Sequence, residues 1–237
     1  MSIAAIQKLG DQIHLSLVDE VCEKLEQFLD LLIKKNQELN LTAEMDRPAM
    51  RVKHIIDSLM VARFLEVRPG MMILDLGTGG GLPGIPLAIL FPEANFVLMD
   101  ATEKKMAAVQ EFITELALPN AKVVTGRAEE LAHNSDFREE FDRVLARAVA
   151  PLRVLVELAY PFVHLNGKFI AYKGPDYVNE LANSGHAFEA LHAESPQVKP
   201  YSLPNGMGER AFIIVPKLHQ TPPHYPRRDG MPAKRPL

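Results

Sequence analysis

The chain has 237 residues, 47% of them hydrophobic, and a formal net charge of −4. That length suits one α/β domain with an extension, or two small domains, and the acid excess excludes a protein that coats nucleic acid with its whole surface. Its single cysteine, Cys22, excludes an internal disulfide and fits a cytoplasmic setting.

The opening MSIAAIQKLGDQIHL has no basic start followed by an apolar block, so no signal peptide is expected. The longest apolar run, 82–91, is too short and too proline-interrupted to span a membrane. Charge is uneven along the chain. Residues 217–237 hold five Lys/Arg and one Asp, about +4, which leaves about −8 for the first 216.

Residues 16–40 predict an amphipathic helix, with Val18, Val21, Cys22, Leu25, Phe28, Leu29 and Leu32 at spacings of three and four. Ser16 followed by Asp19 resembles a capping signal, and Cys22 on the apolar stripe reads as a packed core thiol. Asp46 and Pro48 open a second helix to about Phe64. Its apolar side is Val52, Ile55, Ile56, Leu59 and Ala62. Arg47, Arg51, His54 and Ser58 share the opposite stripe, with Asp57 beside His54, and by pattern alone this is a solvated face.

From residue 71 the period changes. Strands are predicted at 71–76, 95–100, 121–125, 141–149, 167–174 and 210–216, with helices to about Leu90, over 102–118, from 151 until Pro161, and over 176–192. Strands alternating with helices imply a largely parallel, doubly wound sheet. The last twenty or so residues are proline-rich, basic and aperiodic, and read as an extended tail.

The first strand runs into the pattern Asp75, Leu76, Gly77, Thr78, Gly79, Gly80, Gly81. Ligands of open α/β sheets bind outside the carboxyl ends of the strands, and glycines there let a ligand lie against backbone. Gly79, Gly81 and Gly84 also satisfy G-x-G-x-x-G, the dinucleotide fingerprint, so an NAD-dependent oxidoreductase is one reading. Two features favour S-adenosylmethionine instead. Asp75 lies where an anion reaches the amino-acid end of that ligand. Pro83 and Pro86 remove donors that a pyrophosphate needs at a helix start. Asp100, ending the second strand, suits ribose hydroxyls with either cofactor. After the third strand, Ala128 backbone and the Glu129 side chain are placed for an adenine edge; Glu129 and Glu130 equally suit a helix start. Arg147 ends the fourth strand and faces the same crevice, or forms a buried ion pair. With scattered histidines, no H-E-x-x-H and no paired C-x-x-C, no metal is expected. Hydrolase-elbow and P-loop motifs are also missing.

Several longer stretches resemble the RsmG (GidB) family of bacterial 16S rRNA guanine-N7 methyltransferases: NLTA at 40–43, HIIDS at 54–58, LDLGTGGGLPGIPLAI at 74–89, RAEE at 127–130, ARAVAPL at 146–152, KG at 173–174 and the tail YPRRDGMPAKRPL. The resemblance implies a class I S-adenosylmethionine-dependent methyltransferase fold, a doubly wound, mostly parallel seven-stranded sheet with an N-terminal helical extension. It divides the chain into an extension (1–70), a methyltransferase domain (71–216) and a basic tail (217–237). It implies cofactor contacts at Gly77, Leu82, Ala128, Glu129 and Arg147, to which Asp75, Gly79 and Asp100 are added from the pattern.

The implied activity is methylation of guanine N7 in the 530-loop region of 16S rRNA, on free RNA or a small-subunit particle, by a monomer. That nitrogen has a free lone pair and needs no base, so catalysis is mostly alignment. Arg147 is the leading catalytic candidate, since Arg suits guanine N7 and O6. Phosphate contacts are expected from Arg47, Arg51, Lys53, His54, Lys173, Arg227 and Arg228. Family members often carry a tryptophan before N-L-T and a proline in the glycine loop; this chain has no Trp, and Gly80 stands in the loop. A class I methyltransferase with a non-RNA substrate, and a binding module with a vestigial site, are the further alternatives.

Overall fold

Strand residues alternate between two apolar faces, and this alternation sets the layers. The computed structural model describes residues 3–237. Among them seven strands form one sheet: β1 Met72–Leu76, β2 Asn95–Asp100, β3 Ala121–Thr125, β4 Phe141–Arg147, β5 Val163–Lys173, β6 Gln197–Ser202 and β7 Glu209–Pro216, in the order β3-β2-β1-β4-β5-β7-β6. The first five in that order run parallel; β7 is antiparallel to β5, and β6 to β7. Phe96, Leu98, Phe212 and Ile214 face one buried cluster, while Val97, Met99, Ile213 and Val215 face the other. Strands buried on both sides are what helix-covered parallel sheets require.

The helices are α1 Ile3–Gln12, α2 Asp19–Leu39, α3 Arg47–Met50, α4 Asp57–Leu59, α5 Ala62–Leu65, α6 Gly84–Leu90, α7 Glu103–Glu115, α8 Ala128–Leu131, α9 Leu152–Ala159, α10 Tyr177–Ala182, α11 Gly185–Ala190 and α12 Met231–Lys234. Helices α1 and α2 bury Ile6, Leu9, Leu25, Phe28 and Leu29 in the same cluster as β2 and β7. Phe28 meets Phe112 of α7 edge-on, with centroids 5.9 Å apart. Cys22 is a core thiol, pushed up to about 11, first by burial and then by Asp19 and Glu26. The expected doubly wound sheet with its N-terminal helices is therefore present. Among the described residues, no helix is long and apolar enough to cross a membrane.

Some local expectations are corrected. Helix α1 was not foreseen from the sequence. Ser16 caps nothing: Val18 precedes α2 without a side-chain cap. The second helix does start at Asp46, whose carboxylate accepts from Ala49 N at 2.9 Å, but it widens into a π-helical segment over Arg51–Ile56. One extra residue in a turn rotates everything after it by about 100°. Asp57 and Ser58 are thereby buried, and Arg47 and Arg51 of the stripe predicted to face solvent point at Glu26 of α2 instead. The helix expected over 176–192 is two short ones, α10 and α11. Strand β6 is a polar edge strand carrying Pro200, which hid it from the pattern. The tail is docked rather than free. Lys217 is fully buried on Glu139, Tyr160 O and Thr221, and Arg227 clamps the fully buried Glu157 at 2.6 Å.

Candidate cofactor and RNA cleft

An open cleft of about 630 Å³ lies at the carboxyl ends of β1, β4 and β5. Strand order reverses between β1 and β4, the place where doubly wound sheets bind ligands. Of the candidate residues, Gly77, Gly79, Leu82, Lys53, His54, Arg147 and Lys173 line it, together with Thr42, Asp57, Lys105, Tyr172 and Arg210. Asp75, Asp100, Arg47, Arg51, Ala128, Glu129, Arg227 and Arg228 do not line it.

Asp75 braces the glycine loop from behind. It is fully buried, and its Oδ2 accepts from Thr78 Oγ1 at 2.6 Å and Gly84 N at 2.7 Å. Burial pushes its carboxyl up to about 6 against those two hydrogen bonds. A Cβ on Gly84 would stand 2.8 Å from that oxygen, so only glycine fits. The expected reach of Asp75 to a ligand is therefore corrected: the strand end turns this side chain inward. Gly79, at φ +57, has open space where a Cβ would stand, a clear approach from the cleft.

Helix α6 begins with no free donors. Pro83 and Pro86 lack N–H groups, Gly84 N is spent on Asp75, and Ile85 N and Leu87 N bond to Gly81 O and Pro83 O. A pyrophosphate needs those groups, so Gly79, Gly81 and Gly84 do not form a working dinucleotide cradle.

Asp100 borders the cleft through the loop. Its Oδ2 accepts from Gly79 N at 3.1 Å and its Oδ1 from Thr102 N at 2.9 Å, which leaves lone pairs on both oxygens. Gly126 N donates to Asp100 O at 3.1 Å, bringing the turn before α8 alongside. There Glu129 Oε1 accepts from Arg127 Nη2 at 3.0 Å and from Gly230 N of the tail at 3.2 Å. Burial raises the Glu129 carboxyl, but backbone N–H bonds and Arg127 outweigh it and hold it below the usual range.

Arg147 is fixed on the far wall. Its Nη1 donates to Asp57 Oδ2 at 3.0 Å and to Lys53 O at 3.3 Å, and Tyr201 donates to Asp57 Oδ1 at 2.7 Å. Tyr201 in turn stacks on Phe212, with centroids 4.4 Å apart. Asn36 holds both backbone groups of Thr42, whose hydroxyl meets His54 Nε2 at 2.6 Å. Burial, then the Arg147 charge, pushes His54 down to about 4. It is neutral at pH 7, which corrects its expected part as a charged phosphate contact.

The remaining predicted RNA contacts are largely occupied. Arg51 and Arg47 both grip Glu26, a fully buried carboxylate, at 2.5 and 2.7 Å, and Arg47 also holds Asp30. Lys173 donates to Glu180 at 2.7 Å and Ala150 O at 2.8 Å. Arg227 is committed to Glu157, and only Arg228 is exposed. The cleft itself is still cationic: five Lys/Arg and a single carboxylate line it. Among the described residues no group of three His, Cys, Asp or Glu is placed for a metal. Thr42 and Asp57 were missed as site residues although they sit inside NLTA and HIIDS. Nothing in the local pattern marked Tyr201 or Arg210.

Residues 21–206 match the family described as GidB, rRNA small subunit methyltransferase G. Proteins named ribosomal RNA small subunit methyltransferase G are similar nearly end to end. That of Moorella thermoacetica is 39% identical over 94% of this chain and 93% of its own, and that of Carboxydothermus hydrogenoformans 40% over 99% of each. Among solved structures, a SAM-dependent methyltransferase from Aquifex aeolicus superposes with a TM-score of 0.52 at 14% identity, covering 81% of this chain and 97% of that one. The YcgJ protein of Bacillus subtilis gives 0.54 at 15%, covering 70% and 100%. The structural likenesses speak for the fold, and the sequence matches for the family: this chain belongs to the GidB family of rRNA small subunit methyltransferases.

Proposed function

We propose that the chain transfers a methyl group from S-adenosylmethionine to N7 of a guanine in the 530-loop region of 16S rRNA, acting in the cytoplasm. The observation that carries the choice of cofactor is the fully committed start of α6 beside Asp100. A nucleoside without phosphates suits it; a dinucleotide does not.

The residues present fit that cofactor. Gly77, Gly79 and Leu82 line the cleft and would offer backbone to it; Asp100, bonded to Gly79 N, would accept from its ribose hydroxyls; Ala128 and Glu129, outside the cleft on the turn that Gly126 ties to Asp100, would meet the adenine edge; and Arg147 lies on the opposite wall. When bound, it supplies an electrophilic methyl group on a sulfonium. Guanine N7 attacks in line and loses no proton, so the chain has alignment and charge placement to provide. The cleft matches that demand. Its one carboxylate, Asp57, is taken by Arg147 and Tyr201, and His54 is a weak base tied to Thr42. Arg147 is the residue proposed to organise base and cofactor. Five cationic side chains in a chain of net charge −4 give the cleft the sign that RNA seeks. The chain is proposed to act as a monomer.

A thermal-shift series separates this from the oxidoreductase reading. S-adenosylhomocysteine at a hundred times its Kd is expected to add about 2.7 kcal/mol, a shift of about 5–10 °C, while NAD and NADP leave the midpoint unchanged. Stabilisation by NAD alone would sink the methyltransferase assignment.

A further inference from the structure

The five cations of the cleft are not equivalent. Lys53 is neutralised by Glu44 at 2.6 Å, Arg147 by Asp57 at 3.0 Å and Lys173 by Glu180 at 2.7 Å. Among the described residues, Lys105 and Arg210 form no ion pair. The Lys105 ammonium has no side-chain partner there, and the Arg210 guanidinium donates only to Glu209 O at 2.9 Å. A cation without a carboxylate keeps a mobile counterion, and releasing it to a phosphate is what makes RNA binding favourable. A cation already paired gains little by exchanging one anion for another.

The two lie on opposite flanks. Lys105 is in the first turn of α7, just after β2. Arg210 is the second residue of β7, which is antiparallel to β5 with Ala211 opposite Lys173, so it too stands at the carboxyl edge of the parallel strands. In the sheet order β2-β1-β4-β5-β7, four strand steps of about 4.8 Å separate their strands, roughly 19 Å. The glycine loop and Arg147 lie between them. A base splayed out of a folded RNA and held over β1 and β4 sends its backbone in both directions across this edge.

We infer that Lys105 and Arg210 are the phosphate-gripping pair of the substrate cleft, one on each side of the target base. This rests on the RNA substrate proposed above. The two residues take over the part that the sequence pattern had given to Arg47 and Arg51.

The test uses the full chain and 16S rRNA or small-subunit particles lacking the modification, with methyl incorporation followed across a salt series. The Lys105→Ala, Arg210→Ala double variant is expected to raise KM for RNA roughly tenfold or more with kcat little changed, and to flatten the dependence of log KM on log salt by about 1.5, near 0.7–0.9 per lost contact. Lys105→Arg and Arg210→Lys are expected to keep both. S-adenosylhomocysteine affinity, by calorimetry, is expected to stay at the wild-type value in every variant. An unchanged KM and salt slope, with wild type methylating normally, overturns this inference and leaves the function standing. An equal loss of cofactor affinity also overturns it, since the residues would then serve the cofactor. No methylation by wild type removes the RNA reading itself.

Discussion

Arg147 Nη1 lies 3.0 Å from Asp57 Oδ2, and the other oxygen of that carboxylate is held by the Tyr201 hydroxyl. Asp57 therefore sets the plane in which the guanidinium is presented to the cleft, and it acts as a positioning residue. Asp57→Asn is expected to lower kcat by about tenfold, equivalent to about 1.4 kcal/mol in the barrier, with KM for RNA unchanged in steady-state methylation; a raised KM at constant kcat would contradict this. His54 makes a pH prediction. Its folded value of about 4 lies below the unfolded 6.5, so as pH falls the unfolded chain takes up the proton first. The stability His54 contributes is complete above pH 6.5 and is lost toward pH 4, by about 1.4 kcal/mol per pH unit. Asp75, raised to about 6 by burial, works in the opposite sense, so the measurement is a difference. The stability advantage of wild type over His54→Gln in urea unfolding is expected to shrink by about 2 kcal/mol between pH 6.5 and 5; a constant difference would contradict it. Residue types at strand ends were legible in the sequence: Asp100 ends β2, Arg147 ends β4 and Gly79 follows β1. Side-chain direction was not. Asp75 turns into the core because Gly84 leaves room for its oxygen, a contact between residues nine positions apart.

Helix α2 and the helical stretch from Asp46 are locked by Glu26, whose carboxylate is fully buried and carries Arg47 and Arg51 on its two oxygens. Burial alone would raise that carboxyl, but the two guanidinium groups hold it below its usual range. Removing one partner from a buried pair costs far more than trimming a solvated arginine. Arg51→Ala is thus expected to lower unfolding free energy by about 3 kcal/mol; a loss under about 0.5 kcal/mol would restore the solvated-face reading. The amphipathic periodicity of both helices was legible. Their charged sides were not, because a stripe of arginines looks the same whether water or a carboxylate on another helix faces it. The π-helical turn at Arg51–Ile56 adds to this, since it turns Asp57 toward Arg147 and no periodicity announces it. The tail misled for a similar reason. Prolines gave it no period, yet Lys217, Arg227 and Gly230 each have a partner on the body of the protein.

Over the whole molecule, a sheet buried on both faces carries a cationic cleft at its switch point, in a chain of net charge −4. The alternation of strands and helices made the sheet legible, and the stretch 74–89 made the family legible. The composition of the cleft was not, because Thr42, Asp57, Lys105, Arg147 and Arg210 come from five distant segments that only the fold assembles. The central claim is that this cleft methylates guanine N7 in 16S rRNA. Its most direct test is nucleoside mass analysis of 16S rRNA from cells with and without the protein. One 7-methylguanosine is expected in the rRNA with the protein and its loss without it; a 7-methylguanosine content that does not change would contradict N7 methylation by this chain.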